Sequence, residues 1–232
     1  MTFTGKTVLV TGGTGALGTA VIGALIEQGA SCIVPYRGDA EAQRFAHRDA
    51  GTVKLVAAGD LADETTVDGL YSGLELWASI HIAGGFASGS VEDTDKAALM
   101  KQIDGNLVSC FLCCRAAVKS IKAAGGGGRI VNVAARPALE PRSGAGMTAY
   151  TIAKSGVATL SIALAEEVAK DGILVNAVAP SIMDTPANRK AMPKADFGKW
   201  PKVEDVAATI VFLASPGNTV TRGGVVPVYG KS

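Results

Sequence analysis

The sequence is poor in aromatic residues, carries almost no net charge and contains no long apolar run. Aromatic residues make up 5% of the chain, and the formal net charge is +1. A nearly neutral chain generates no strong field that would attract nucleic acid, and no apolar run reaches the roughly 18–20 residues of a membrane span. The opening residues also lack the charged and apolar regions of a secretory signal. We therefore expect a cytoplasmic protein that binds neither nucleic acid nor membrane.

Cysteine is scarce, and the four thiols are Cys32, Cys110, Cys113 and Cys114. Three of them crowd one predicted helix, and their spacing offers no second pair for a zinc site. A disulfide framework is not typical of a chain of this kind. The sequence therefore predicts reduced thiols in core or interface positions and no metal site.

Apolar residues, in contrast, make up 48% of the chain, which suits a sizeable core. Short β-type runs alternate with longer helical patterns, and this alternation predicts a parallel sheet covered on both faces. We expect an α/β fold with a doubly wound sheet of about seven strands, built as one domain over residues 1–232. The predicted strands are residues 6–11, 31–36, 52–58, 77–85, 129–135, 173–180 and 224–230.

Helical periodicity predicts helices over residues 16–29, 96–124, 148–170 and 203–215. Glycines end the first two helices, and Thr148 is the expected N-cap of the third. The segment after the sixth strand shows no regular pattern and is expected to be irregular.

A glycine-rich turn, VTGGTGALG at residues 10–18, follows the first strand and opens the first helix. In this context Gly12 permits a tight turn, and Gly13 or Gly15 lets the backbone approach a pyrophosphate. The helix N-terminus then offers free N–H groups to phosphate. A turn that needs glycine for geometry alone is the alternative, but the placement favours nucleotide binding. The expected contacts in this turn are Gly12, Thr14, Gly15, Ala16, Leu17 and Gly18.

The residues after the second strand bear on which cofactor binds. An acidic residue there would bind the ribose 2′-hydroxyl of NAD, but this chain has Tyr36 and Arg37, with Asp39 slightly late. A guanidinium suits the 2′-phosphate of NADP by charge and bidentate geometry, and a solvated loop arginine is the simpler alternative. We expect NADP(H), with NAD(H) as the second choice. Asp60, after the third strand, is placed for an adenine contact.

The stretch TAYTIAK places Tyr150 and Lys154 four residues apart, on one face of a predicted helix. A lysine ammonium beside a phenol favours the ionised phenol and so lowers its pKa. The spacing occurs often by chance, and taken alone it fits either a catalytic pair or an ordinary turn of helix.

Together these motifs resemble the short-chain dehydrogenase/reductase family over essentially the whole chain. The matching text is TGGTGALG, DLAD, IAGG, GNLVSCFLCCRAA with Asn106, RIVNV, YTIAK and VNAVAPSIMDT. The resemblance implies a Rossmann-like sheet, a nicotinamide cofactor, a small-molecule substrate and assembly into homodimers or homotetramers.

The resemblance also implies roles for individual residues. Tyr150 would exchange a proton with the substrate oxygen, Lys154 would lower the phenol pKa and hold the nicotinamide ribose, and Asn106 would support a water in the proton relay. The chain would then be an NAD(P)-dependent oxidoreductase acting on a carbonyl or a secondary alcohol. Further cofactor contacts are expected after the strand ends, at Leu61, Ala83, Gly84, Pro180, Ile182 and Thr185.

One departure from the family pattern concerns the reacting oxygen. The fifth strand ends in VNVAAR, so Ala134 and Ala135 stand where the family has a serine that polarises the substrate carbonyl. Its absence would remove a hydrogen bond worth about 1–3 kcal/mol of barrier. Ser143 and Thr148, which lie between this strand and Tyr150, are candidates to replace it.

A narrower resemblance is to the quinonoid dihydropteridine reductases. It rests on MDTPANRKAMPKADFGKW at residues 183–200, on AGG after the fourth strand and on the shared lack of the serine. It implies a quinonoid ring as an alternative acceptor. A non-catalytic NADP-binding sensor or scaffold is a further hypothesis, motivated by the missing serine and opposed by the intact Tyr150, Lys154 and Asn106.

Overall fold

All seven strands lie in one parallel sheet, in the order β3-β2-β1-β4-β5-β6-β7. The computed structural model describes residues 2–232. The strand order reverses between β1 and β4, and this reversal leaves a crevice at the carboxyl ends of those two strands. The predicted doubly wound sheet is confirmed. The strands are β1 (Thr7–Thr11), β2 (Ser31–Tyr36), β3 (Val53–Ala57), β4 (Ala78–His81), β5 (Arg129–Val133), β6 (Leu174–Pro180) and β7 (Val225–Val228).

The central strands are buried because each has strands on both sides and helices on both faces. Val8 of β1 is in register with Cys32 of β2 and with Ala78 of β4. Every residue of β4 and β5 is buried. Such strands carry continuous apolar runs rather than an alternating pattern, which is why the sequence shows them clearly.

Helices cover both faces of the sheet. One core cluster joins α1 and α9 to the sheet, and a second cluster joins α3, α5 and α7 to the opposite face. Each fully buried leucine, isoleucine or valine in these clusters contributes about 1.5–3 kcal/mol relative to exposure. The helices are α1 (Ala16–Glu27), α2 (Asp39–Arg44), α3 (Glu64–Tyr71), α4 (Lys96–Gln102), α5 (Ser109–Ala123), α6 (Arg136–Leu139), α7 (Thr148–Glu167), α8 (Pro186–Ala191) and α9 (Val203–Ala214).

The long helix predicted for residues 96–124 is divided by a π-helical turn, Ile103–Val108. At the end of this turn the backbone N–H of Ser109 donates to the carbonyl oxygen of Asp104, five residues back. A π-turn holds one residue more than an ordinary turn and is often found at functional sites. Asn106 lies within it.

Several predicted boundaries also differ from the structure. The prediction that Thr148 is the N-cap of α7 is wrong: Met147 occupies the cap position, no side chain caps the helix, and Thr148 is the first helical residue. β4 ends at His81, so residues 82–85 belong to a loop. The sequence pattern does not predict α2, α3, α6 and α8, because their four to eight residues are too few to show a helical period.

None of the helices within residues 2–232 has the length and apolar character that a bilayer crossing requires.

Candidate active site

The glycine-rich turn between β1 and α1 is tightly packed. Gly12 has φ +68°, and a Cβ atom there would lie 2.7 Å from the backbone nitrogen of Ala83. A Cβ on Gly18 would overlap the carbonyl oxygen of Gly12, and one on Gly13 would lie 2.8 Å from a methyl group of Val34. These three glycines therefore allow the turn, the loop after β4 and helix α1 to approach one another.

Gly15 differs from the other glycines of this turn because it faces outward. It occupies the N-cap position of α1, it is exposed, and no side chain caps the helix. The first N–H groups of a helix have no partner within the helix, so this uncapped end offers donors to an anion. Ala16 is also exposed beside Gly15, whereas Leu17 is buried below. The exposed backbone at Gly15 therefore leaves room for a pyrophosphate to approach the N-terminus of α1.

The far end of the crevice, beyond the glycine turn, holds three charged residues. Arg37 is exposed after β2, and no carboxylate within residues 2–232 lies at ion-pair distance from its guanidinium. Asp60 accepts a hydrogen bond from the backbone N–H of Ala62 at 3.0 Å. One of its carboxylate oxygens therefore stabilises the loop after β3. Glu41, in α2, accepts a hydrogen bond from the hydroxyl of Thr14. Sequence analysis missed Glu41, because only the fold brings it to the glycine turn.

A cavity of about 240 Å³ lies at the carboxyl edge of the sheet, beside the glycine turn. It brings together six of the residues predicted for the site. These six are Leu17, Gly84, Asn106, Tyr150, Lys154 and Pro180. Ala134 and Ala135, which stand in place of the family serine, also line the cavity. Sequence analysis missed the rest of the lining, which is formed by Ile82, Gly85, Phe86, Val133, Ser181 and Met183.

Tyr150 and Lys154 lie one turn apart on α7 and both face the cavity. Lys154 is buried, its Nζ atom lies 5.9 Å from the centre of the Tyr150 ring, and it donates to the carbonyl oxygen of Val133 at 2.8 Å. Burial lowers the pKa of Lys154 to about 8, and the nearby Cys110 opposes this decrease. Burial also raises the pKa of Tyr150 to about 12. Burial is therefore the cause that sets the direction of the phenol pKa.

Asn106 fastens the loop that follows β4. Its Nδ2 donates to the carbonyl oxygens of Gly85 and Gln102, each at 3.0 Å, and its Oδ1 accepts from the backbone N–H of Gly85 at 3.2 Å. A Cβ on Gly84 would lie 2.5 Å from Oδ1 and 3.5 Å from the Nζ atom of Lys154. Glycine at this position therefore lets the loop, Asn106 and Lys154 meet.

The position opposite Tyr150 carries no hydroxyl. Ala134 and Ala135 both line the cavity, and Ala134 is also part of the core cluster beneath it. The two predicted substitutes, Ser143 and Thr148, are exposed and do not line this cavity, so the expectation that either replaces the serine is wrong. Thr148 lines a separate pocket with Pro141 and Gly144, and Ser143 donates to the carbonyl oxygen of Glu140 at 2.8 Å.

Ser181 is the hydroxyl residue that lines the cavity besides Tyr150. Its Oγ donates to the carbonyl oxygen of Tyr229 at 3.0 Å and accepts a hydrogen bond from the hydroxyl of Ser232 at 2.6 Å. Both interactions tie it to residues that follow β7. Apart from Tyr150, Lys154, Asn106 and Ser181, the side chains that line the cavity are apolar and form its apolar wall.

Phe86 adds an exposed aromatic ring to this wall. The side chain is 62% exposed, and its ring lies edge-on to Tyr150 with centroids 5.1 Å apart and planes at 82°. Large exposed aromatic side chains that line a cavity commonly contact a ligand. The residue sits in a glycine-rich loop without periodicity, so no sequence pattern points to it.

The remaining predicted contacts lie along the same edge of the sheet. Ile182 is 45% exposed beyond β6, and Thr185 is buried, where its hydroxyl accepts a hydrogen bond from the backbone N–H of Asn188 at 3.2 Å. Ala83 contacts the glycine turn, and Leu61 packs against the core cluster on the α5 face. These positions flank the cavity without lining it.

A buried group of two thiols of α5 and the imidazole at the end of β4 lies near Lys154. The ligand atoms of His81, Cys110 and Cys114 all lie within 4.8 Å of one another. His81 Nδ1 lies 2.8 Å from Asn132 Oδ1, and His81 Nε2 lies 2.8 Å from Ser79 Oγ. His81 is far from these thiols in sequence, and the packing of α5 against β4 brings them together. Both ring nitrogens take part in hydrogen bonds, so the imidazole is a satisfied member of a buried polar network.

Comparison with known proteins gives a consistent set of relatives. A family model described as short chain dehydrogenase matches residues 6–196. The chain is 34% identical to cis-4-hydroxycyclohexanecarboxylate dehydrogenase of Sinomonas cyclohexanicum, covering 98% of this chain and 96% of that protein. It is 32% identical to galactitol 2-dehydrogenase of Rhizobium johnstonii, covering 97% and 93% respectively.

A similar solved structure is ElxO with NADP bound. It superposes with a TM-score of 0.86 at 26% identity and covers 97% of each chain.

Proposed function

The chain belongs to the short-chain dehydrogenase family, and on this basis we propose that it is an NAD(P)-dependent oxidoreductase whose catalytic residue is Tyr150. Its reaction interconverts a secondary alcohol and the corresponding carbonyl. The observation that carries the assignment is that Tyr150, Lys154 and Asn106 meet around one cavity beside an uncapped, glycine-rich helix N-terminus. When bound, the nicotinamide supplies or accepts the hydride.

Tyr150 moves the proton that accompanies the hydride. In reduction its phenol protonates the new alkoxide oxygen, and in oxidation the phenolate accepts the alcohol proton. Lys154 stabilises the phenolate by its charge, and its hydrogen bond to Val133 fixes the position from which that charge acts. Asn106 holds the glycine loop against Lys154 and thereby shapes the floor of the cavity.

NADP(H) is the preferred cofactor in this proposal. Arg37 supports it, because the guanidinium is exposed after β2 and no carboxylate of the described chain pairs with it. The similar structure of ElxO has NADP bound, which supports the same preference. NAD(H) is the second choice.

We assign the substrate to cyclic, largely apolar secondary alcohols or ketones. The cavity has an apolar wall, and the exposed ring of Phe86 offers a flat surface to a ring. The name of one relative, cis-4-hydroxycyclohexanecarboxylate dehydrogenase, supports a ring-borne hydroxyl. An apolar wall favours burial of carbon over polyhydroxylated chains.

The test is turnover of a panel of cyclic secondary alcohols and ketones with both cofactors, in wild type and in Tyr150→Phe. We expect wild-type turnover and a loss of kcat on the order of 10²–10⁴-fold in the variant. Cofactor affinity, measured by nicotinamide fluorescence, should stay within about twofold, because the hydroxyl alone is removed. Tyr229→Phe, outside the cavity lining, is the matched control and should behave as wild type. Turnover that survives in Tyr150→Phe would overturn the assignment.

A second acceptor class is a quinonoid ring. The absence of a hydroxyl at Ala134 and Ala135 favours it, because such an acceptor does not depend on polarisation of a simple carbonyl. Direct assay with quinonoid dihydropterin separates the two classes. A cofactor-binding protein that turns over neither acceptor class, and whose cellular role survives Tyr150→Phe, would instead be a sensor or scaffold.

The proposal also covers the oligomeric state of the protein and its cellular compartment. Phe111 on α5 and Ile152 and Ile162 on α7 are about half exposed, which supports a homo-oligomer, dimer or tetramer, that covers these helices. All four cysteines are free and buried, which suits the cytoplasm. Light scattering of the purified protein tests the first statement.

A further inference from the structure

Glu41 connects the two elements that border the far end of the crevice. One carboxylate oxygen accepts a hydrogen bond from the hydroxyl of Thr14 in the glycine turn. The other accepts from the backbone N–H of Arg37, just after β2, at 3.3 Å. Glu41 lies in the first turn of α2 and is half-buried. The carboxylate is therefore held in place at both oxygens.

This position coincides with the expected place of the adenosine ribose. In doubly wound sheets the ribose of a dinucleotide lies between the glycine turn after the first strand and the end of the second strand. The side chain of Glu41 bonds to both of these elements, so its carboxylate lies at the border of the expected ribose site. A residue there either accepts a hydrogen bond from a 2′-hydroxyl or repels a 2′-phosphate.

Arg37 and Glu41 therefore have opposite effects at the same place. The guanidinium of Arg37 attracts a 2′-phosphate, whereas the carboxylate of Glu41 repels that phosphate and competes for the Thr14 hydroxyl. The two side chains are not within ion-pair distance of each other, so neither neutralises the other directly.

We propose that Glu41 is a specificity-determining residue that weakens NADP(H) binding and supports NAD(H) binding, so that the protein accepts both cofactors. The proposal rests on the proposed function, since it concerns the adenosine end of the same cofactor site. It explains why a chain with an arginine after β2 also places a carboxylate against its glycine turn.

The test measures binding, which requires no substrate. Dissociation constants of NADPH and NADH are determined by nicotinamide fluorescence for wild type, Glu41→Gln and Asp39→Asn. Glutamine removes the charge and keeps one oxygen, which can accept from either Thr14 or Arg37 but not from both. Asp39 is the matched control, because it is an exposed acid on the same helix, two residues away. Titration calorimetry with adenosine 2′,5′-bisphosphate and with 5′-AMP isolates the effect of the 2′-phosphate.

We expect Glu41→Gln to shift the affinity ratio about tenfold towards NADPH, which corresponds to about 1.4 kcal/mol. Most of the shift should come from tighter NADPH binding, and adenosine 2′,5′-bisphosphate should respond in the same way while 5′-AMP does not tighten. Asp39→Asn should leave the ratio within about twofold, because the Asp39 side chain is exposed and its charge is screened by solvent and salt. Arg37→Gln in the same assay should shift the ratio in the opposite direction.

An unchanged ratio of NADPH to NADH affinity in Glu41→Gln would overturn the proposal. An equal shift of this ratio in Asp39→Asn would also overturn it, because the effect would then depend on the net charge of the protein and not on the position of Glu41. Failure of the proposed function is seen separately, as absence of turnover in the panel assay, whereas the affinity ratio is measured without substrate. Thermal unfolding of each variant verifies that the measured change does not come from loss of fold.

Discussion

The Nζ atom of Lys154 donates a 2.8 Å hydrogen bond to the carbonyl oxygen of Val133, the last residue of β5. An ammonium is thereby fixed at the end of a central strand, in a position that is 6% exposed. Water cannot solvate this charge, so the folded state must hold it against a desolvation penalty. The burial that comes with placing the charge beside Tyr150 therefore destabilises the fold, and the hydrogen bond to Val133 offsets only part of this cost.

Lys154→Met is expected to stabilise the protein while removing activity. In the folded state the pKa of Lys154 falls to about 8 from its ordinary 10.5. Between these values the unfolded chain holds more protons, so wild-type stability rises with pH, and the penalty is fully present below about pH 8. At neutral pH the variant should gain about 1–3 kcal/mol, after subtraction of the lost Val133 hydrogen bond.

Denaturant titrations of both proteins across a pH series provide the measurement. The difference should shrink as pH rises from about 8 towards 10.5, where wild type loses the buried charge. Lys119→Met, at an exposed position on α5, should show no such dependence. A Lys154→Met protein that is less stable than wild type throughout the series would contradict the prediction.

Ala135→Ser should raise turnover of a simple ketone. Ala135 lines the cavity and is not among the core cluster residues, so a hydroxyl there can reach the substrate oxygen. One added hydrogen bond to that oxygen is worth about 1–3 kcal/mol, and we expect kcat to rise about tenfold. Ala134→Ser is the matched control, because Ala134 packs in the core cluster and its added hydroxyl should lower stability without raising kcat. Equal rates for the two serine variants would argue against this geometry.

Phe86→Ala should weaken substrate binding more than it slows chemistry. The Phe86 ring contacts Tyr150 edge-on, but it carries no group that takes part in proton transfer. Loss of the aromatic surface should raise KM for a cyclic substrate about three- to tenfold and leave kcat within about threefold. Phe212→Ala, at a 43% exposed position on α9 outside the cavity lining, should change neither constant. The measurement is steady-state kinetics with the panel substrate that wild type turns over fastest. An unchanged KM for Phe86→Ala would show that Phe86 does not contribute to substrate binding.

Gly18→Ala should disrupt the glycine turn. A Cβ there would overlap the carbonyl oxygen of Gly12 and lie 2.5 Å from the Cα atom of Gly13, and backbone atoms cannot move aside as a flexible side chain can. We expect a loss of at least about 3 kcal/mol and loss of cofactor binding. Gly69→Ala is the control: Gly69 lies in α3 with no atom within 4 Å of its added Cβ, and alanine there should stabilise by about 0.5–1 kcal/mol. Thermal unfolding distinguishes these outcomes.

The strand pattern and the glycine turn could be predicted from the sequence because their causes are local. Buried parallel strands are continuous apolar runs in the sequence. A turn that tolerates only glycine is recognised by the glycines themselves, as at Gly12 and Gly18. The Tyr150–Lys154 spacing likewise follows from helix geometry. These features need no knowledge of distant parts of the chain.

The remaining features depend on contacts between segments far apart in sequence. Glu41 meets Thr14 across 27 residues, and the position of Phe86 depends on Asn106 holding the neighbouring glycines. The direction of the Tyr150 pKa shift also differs from the one expected from spacing, because spacing gives the neighbour but not the degree of burial. Such effects appear only when the chain is folded.

The π-helical turn Ile103–Val108 makes the number of residues in this helix as important as their identity. An α-helix rotates about 100° per residue and the wider turn rotates less, so removing one residue here would restore the ordinary repeat while the two halves of the helix keep nearly the same relative orientation. The apolar side of α5 would then stay on the sheet, but Asn106 would lose the wider turn that places it against Gly85. We therefore expect a single-residue deletion in this turn to leave the fold intact in thermal unfolding and to lower activity.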